Sequence, residues 1–286
     1  MDNKPLEMQA ERAGESVNAL DNWWGSVNGI DILARISGKI NIFSILDGEA
    51  GNSLNLPILG STLGGVIEKD SFLILSNSPY KLTKDVTVTA GATLYIEPGV
   101  TILYEQNRAI TVEDGGVIAR GRKDMPIVFG ASGTAPMPGF YASAVRFTKP
   151  TKVNSAFSFC IVKYAETAFD IHYGAPEISY CHIAYNSQSG IFSRNDAAPK
   201  ITYSSFLNNL GEGAIRSVGM SRPVINYNNF NDNAFAIQAF SSIYLDARYN
   251  WWGNSPPDDK YIFTHGDNSV NIAPWLEKPE EKAFKE

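Results

Sequence analysis

From Phe157 onward, apolar residues fall in short alternating runs rather than at helical spacing, and the runs themselves repeat. Each copy opens on an aliphatic residue or Phe. A small polar residue follows three places on, an apolar residue five places on and an Asn eight places on. The phrase reads Ile178-Ser-Tyr-Cys181-His-Ile183-Ala-Tyr-Asn186, then Ile201-Thr-Tyr-Ser204-Ser-Phe206-Leu-Asn-Asn209, then Ile225-Asn-Tyr-Asn228-Asn-Phe230-Asn-Asp-Asn233. A weaker copy starts at Phe157 and a later one at Ala247, so the leading positions are 21, 23, 24 and 22 apart. Two further columns keep the register. Pro176, Pro199 and Pro223 each stand two residues before a leading position, and Phe169, Ile191, Ile215 and Ile237 mark a second strand in each copy.

A unit of two or three short strands cannot bury its own apolar face and must stack on its neighbours. A strand repeat of about 22 residues predicts a parallel β-helix, with equivalent residues stacked at about 4.8 Å. The Leu-x-x-Leu-x-Leu phrase of leucine-rich repeats is absent. The front half follows a looser version: Val86-Thr-Val88, Gly91 and Leu94-Tyr-Ile96 return as Ile110-Thr-Val112, Gly115 and Val117-Ile118. Alternating β-branched residues punctuated by Gly and by Pro98-Gly99 are strands with tight corners. Gly130 to Gly139 reads as a loop leaving the coil.

The run Ser78-Pro79-Tyr80-Lys-Leu82, Val86-Thr-Val88, Gly91-Ala-Thr-Leu94-Tyr-Ile96-Glu-Pro98-Gly99-Val100 resembles the opening turns of extracellular, pectate-lyase-like, right-handed parallel β-helix proteins. Asn250-Trp251-Trp252-Gly253 followed by Val270-Asn-Ile272-Ala-Pro274 resembles their last turn. The likeness spans about Leu73 to Pro279. It implies an all-β, single-stranded right-handed solenoid, here of seven to eight turns. It is vague as to function, since members range from surface proteins to polysaccharide-active enzymes. The closing phrase occurs twice, because Asn22-Trp23-Trp24-Gly25 followed by Ile40-Asn-Ile42 matches it. The expected organisation is a closing-turn-like segment over 1–46, a connection over 47–77, the β-helix over 78–279 and a fraying tail over 280–286. The first segment either caps its own coil or docks on another molecule's open end, giving head-to-tail self-association. Without a basic start, apolar core and cleavage site, the chain shows no signal peptide. Either it is cytoplasmic, or it is a segment of an exported tandem surface protein with Met1 as an added start. The repeats favour the latter, an extracellular or cell-surface location.

Composition narrows the function classes. Lys+Arg 24 against Asp+Glu 30 gives a net charge of −6 with no basic block, which argues against nucleic-acid partners. No apolar run reaches the length of a membrane span. Two cysteines and three scattered histidines argue against a disulfide framework, a metal centre or a zinc enzyme, and nothing calls for a cofactor.

Candidate chemistry is sparse. Asp170 and His172, on one side of a strand, form the best acid–base pair on offer. Glu166, Glu177 and Asp196 are the other carboxylates that adjacent turns could pair. The Asp-Asp and Gly-His-Gly phrases of polygalacturonases, and the clustered aspartates of calcium-dependent pectate lyases, are absent. Asp258, Asp259 and Asp267 lack the spacing of a calcium loop. Phe159, Tyr180, Tyr203, Tyr227 and Tyr249 form an aromatic column. Strand alternation places it inward as core, whereas a bend would turn Tyr180, Tyr203 and Tyr227 outward as a platform for sugar rings. Asn186, Asn209 and Asn233, with Asn254 as an extension, read as a hydrogen-bonded corner ladder. Cys160 and Cys181 stack one turn apart, slightly too far for a disulfide. The reading that follows is a non-enzymatic module for display, adhesion, or binding of a polysaccharide or another surface protein. The alternative is a polysaccharide lyase or glycoside hydrolase.

Overall fold

The structure is a computed structural model that describes residues 8–10, 16–33, 35–241, 243–258, 261–264 and 270–286. Asp259 and Asp267 lie outside the described residues. The expected repeat is present as stacked parallel strands. One sheet is nine strands deep, from Ser71–Leu73 at one end to Val270–Asn271 at the other. A second, fifteen-stranded ladder bends at the long strand Tyr80–Val88. The first part of that strand pairs with Thr101–Tyr104 and its last part with Ala109–Val112, so the ladder supplies two faces. Each turn of the coil thus places one strand on each of three sheets.

The columns seen in the sequence are the inner walls. Phe169, Ile191, Ile215 and Ile237 pair in register from turn to turn and are fully buried. Ile178, Ile201 and Ile225 do the same on the first sheet. On the second sheet Phe206 stacks on Phe230 at 5.1 Å, and Phe230 on Trp252 at 5.0 Å. Burying each such side chain contributes about 1.5–3 kcal/mol. The carbonyls of Pro176 and Pro199 accept the N–H of Lys200 and Val224 one turn on, which explains why the proline column keeps the period.

The coil has about 11 turns rather than seven to eight. The expected count, from the period of about 22 residues, is for a coil over 78–279, and the structure adds rungs before it. Thr62–Ile67 and Ser71–Leu73 pair with the strands that follow them. The N-terminal segment adds two rungs of its own, Met8–Gln9 on Ile36–Ser37 and Val17–Asn18 on Ile40–Asn41. These rungs enclose a separate small core of Trp24, Ile32, Ile36, Ile40, Ile42 and Ile45. The two Trp-Trp-Gly phrases are alike in structure as well: Trp24 and Trp252 are buried, and Gly25 and Gly253 have φ of +71° and +84°. The segment lies against its own chain, with Arg122 Nη2 3.3 Å from Ser37 Oγ. Residues 280–286, expected to fray, instead return along the coil and bury Ala283 and Phe284.

Candidate functional site

On the third sheet, the residue after each member of the Phe169 column faces outward. Arg146, Asp170, Phe192, Arg216 and Gln238 therefore stand in line, one per turn. His172 and Arg194 lie two residues beyond Asp170 and Phe192 on the same side. Asp170, only 7% exposed, accepts from Arg146 Nε at 3.1 Å and from Arg194 Nη2 at 2.9 and 3.1 Å on its two oxygens. His172 Nε2 is 3.3 Å from the same carboxylate and also touches Arg194. That nitrogen can donate to Asp170 or accept from Arg194, not both. The structure thus brings Asp170 and His172 together, but two guanidinium groups hold the carboxylate.

The guanidinium groups themselves form an aromatic-backed strip. Arg194 lies over the Phe192 ring at 4.6 Å, and Arg216 lies over Phe192 at 5.0 Å and Phe240 at 5.4 Å. Arg216 also pairs with Glu212. Burial, reinforced by the Arg194 charge, lowers the Arg216 pKa from its usual value. The Nε–H groups of Arg194 and Arg216 are buried and have no partner among the described residues. This strip was readable in the sequence as the spacing of 24, 22 and 24 from Arg146 to Arg216, one step behind the Phe169 column. Glu177 and Asp196 are exposed, Glu166 is half-buried, and none bonds to Asp170 among the described residues. Nor does any group of three or more His, Cys, Asp or Glu among the described residues suit a metal ion.

The aromatic column lies at the corner between the first and second sheets. Phe159, Tyr180, Tyr203, Tyr227 and Tyr249 have φ of 48–59°, so each residue is itself the bend. Strand alternation breaks there, and the rings leave the core half-buried. A left-handed residue other than Gly costs about 1–2 kcal/mol. Stacking of each ring on the next, worth about 0.5–1.5 kcal/mol per pair, offsets much of it. Centroids are 4.9, 5.1, 5.2 and 5.3 Å apart with planes within 9°. Tyr180, Tyr203 and Tyr227 therefore present edges and hydroxyls outward, because both faces of each ring are covered by neighbours.

The residue after each ring turns inward and caps the next backbone. Cys181 N–H donates to Ser204 Oγ, Ser204 N–H to Asn228 Oδ1 and Asn228 N–H to Asn250 Oδ1, at 2.8–3.0 Å. Cys160 and Cys181 occupy this column as buried free thiols, and burial raises the Cys160 pKa. At the other end of the second sheet, Asn186 Nδ2 donates to Asn209 Oδ1 and Asn209 Nδ2 to Asn233 Oδ1, both at 2.8 Å. Asn254 is exposed and does not extend this ladder.

Two buried ionisable groups give the fold opposing pH dependences. Burial pushes the Glu97 carboxyl up to about 7, against the Leu75 N–H it accepts at 2.7 Å and the nearby Arg122 charge. Burial, with the Lys163 charge adding, pushes His182 down to about 4. Folded Glu97 keeps its proton above the unfolded value of 4.5, so its contribution to stability is lost as pH rises from there to about 7. For His182 the unfolded chain takes the proton first, at 6.5, so stability falls as pH drops from there to about 4. Glu97→Gln is therefore expected to raise the melting temperature at pH 8 by several degrees, from a gain of up to about 3 kcal/mol, and to change little at pH 4.5. His182→Gln should flatten the acid limb alone. Thermal melts across pH would check both, and a Glu97→Gln protein with no gain at pH 8 would rule out a buried ionised carboxylate.

Comparison with known proteins agrees with this architecture. A family described as right handed beta helix region matches residues 148–255, and one described as pectate-lyase like beta helix domain matches residues 65–174. Protein bark beetle of Drosophila melanogaster is 32% identical over 139 residues. That alignment covers 42% of this chain and 4% of the much longer fly protein. No solved structure matches significantly. No helix among the described residues is long and apolar enough to cross a membrane. The three-sheeted coil and the two family matches identify the chain as a right-handed parallel β-helix repeat protein.

Proposed function

We propose that this chain is a non-enzymatic surface module whose third sheet binds an acidic polysaccharide. The observation that carries the reading is the strip of Arg146, Arg194 and Arg216, backed by Phe192 and Phe240, which spans four turns of one outer face with Asp170 on the turn between Arg146 and Arg194. Guanidinium groups bind carboxylates and sulfates through paired N–H donors. Arginines spread over four turns of one face suit a linear polymer lying along the coil. Binding is favoured over cleavage because both oxygens of Asp170 are occupied by arginine. The contact of Ser37 with Arg122 of the same chain favours capping in cis over head-to-tail assembly. An extracellular or cell-surface setting is part of the same reading.

Immobilised uronate-containing, sulfated and neutral glycans would test it. Retention of the acidic glycans is expected, with affinity falling about tenfold or more in Arg194→Ala and Arg216→Ala and falling with salt. Polymer length should stay constant during incubation. Selective retention of neutral glycans would refute the strip, and depolymerisation that disappears in His172→Ala would establish the enzymatic alternative.

A further inference from the structure

The outer face of the second sheet is covered by the chain itself. Val162, Ile183, Phe206 and Phe230 face the core, so their neighbours Ile161, His182, Ser205 and Asn229 face outward in register. Outward residues of a solenoid are ordinarily solvated, yet these four are only 5–6% exposed. Their cover is the segment 278–286, which runs back across successive turns between two aromatic corners. One wall is the Phe159 to Tyr249 stack, and the other holds Tyr164 and Tyr185, stacked at 6.0 Å.

The segment is held by three kinds of contact. Asn229 clamps a peptide unit: its Nδ2 donates to the Glu280 carbonyl at 3.0 Å, and its Oδ1 accepts the Glu280 N–H at 2.8 Å. Phe284 donates its N–H to the Tyr203 carbonyl at 3.1 Å, and its ring meets Phe159 edge-on at 5.6 Å. Lys163 pairs with the Glu286 side chain. Only Ala283 and Phe284 of residues 280–286 are buried, so little apolar surface holds the strap. By contrast, the floor beneath belongs to the continuous ladder.

We propose that this face is a peptide-binding groove, and that segment 278–286 occupies it in cis. Its partner in trans is an extended segment of another chain that carries a Phe with an acidic residue two places later. The Asn229 clamp reads backbone and accepts any sequence there. The edge of Phe159 selects the aromatic ring, and Lys163 selects the acid. The groove lies on a different sheet from the arginine strip, and the two readings stand or fall separately.

A labelled synthetic peptide with the sequence of Lys278 to Glu286, titrated against the full chain by fluorescence anisotropy, tests the groove. A tethered occupant competes at an effective concentration of roughly millimolar, so the native chain should bind weakly and the Phe284→Ala chain at least about tenfold more tightly. Adding Lys163→Glu to Phe284→Ala should reverse that gain, and a peptide with Ala in place of its Phe should not bind. Equal affinity of the native and Phe284→Ala chains, or equal binding of the altered peptide, overturns the proposal. Hydrogen exchange on the native chain provides a check that needs no variant. The Phe284 amide should exchange roughly 100-fold or more faster than that of Phe206, because the strap opens without unfolding the coil. Equal protection of the two amides would mean that the segment is a fixed part of the fold and would also overturn the proposal.

Discussion

Ile215→Asp is expected to abolish soluble, folded protein. Ile215 is fully buried, with Ile191 on one side and Ile237 on the other in the same column. The substitution forfeits about 1.5–3 kcal/mol of apolar burial. It also places a carboxylate between Ile191 and Ile237 in an apolar column, a desolvation penalty of several kcal/mol. Together these approach the whole stability of a typical domain, about 5–15 kcal/mol. A solenoid has no alternative register for the damaged turn, since each turn touches only its two neighbours. Gln238→Asp, on the outer side of the same sheet beside Arg216, is the matched control, with an expected change within about 0.5 kcal/mol. Soluble yield and the urea midpoint are the measurements. A folded Ile215→Asp protein with an unchanged midpoint would mean that the column does not line the core.

The second large effect is expected at Asn209. Its amide accepts from Asn186 Nδ2, and its own Nδ2 donates to Asn233 Oδ1 at 2.8 Å and to the Ile183 carbonyl at 3.0 Å, all inside the coil. Asn209→Ala strands Asn186 Nδ2 without water, at about 1–3 kcal/mol, while the Ile183 carbonyl keeps its place in the parallel ladder. With the small cavity added, the loss should be about 2–4 kcal/mol, or a drop of several degrees in melting temperature. Asn254→Ala, the exposed counterpart, should leave the melt unchanged. Calorimetry of the pair decides the matter, and equal melting temperatures would show that the ladder adds nothing to stability.

These two sites also mark how far a one-dimensional reading carries. A solenoid repeats its environment every turn, so a buried position leaves a periodic trace in the sequence. The Phe169, Ile178 and Asn186 columns could be aligned by eye for that reason, and the coil, its inner walls and its Asn ladder follow from them. The Trp252 closing position was legible because it continues the Phe230 column. Asp170 and His172 were legible as neighbours because two residues along a strand share a side.

Other properties belong to the third dimension. Strand alternation could not say that Tyr180, Tyr203 and Tyr227 stack outside the core, because a left-handed residue resets the alternation and nothing in the word Tyr announces it. Local sequence likewise could not show that Arg146 and Arg194 hold Asp170, since all three meet only when successive turns are stacked. The place of segment 278–286 was least visible of all. A polar, Pro-containing stretch has the composition of a free tail, and only the groove between two aromatic corners gives its Phe284 somewhere to go. Repetition along the chain determined the coil, its core columns and its capping Asn ladders, because those environments recur each turn. Tertiary structure alone decided which outward side chains are covered and by what, because a contact such as Asn229 with Glu280 joins residues that no period relates.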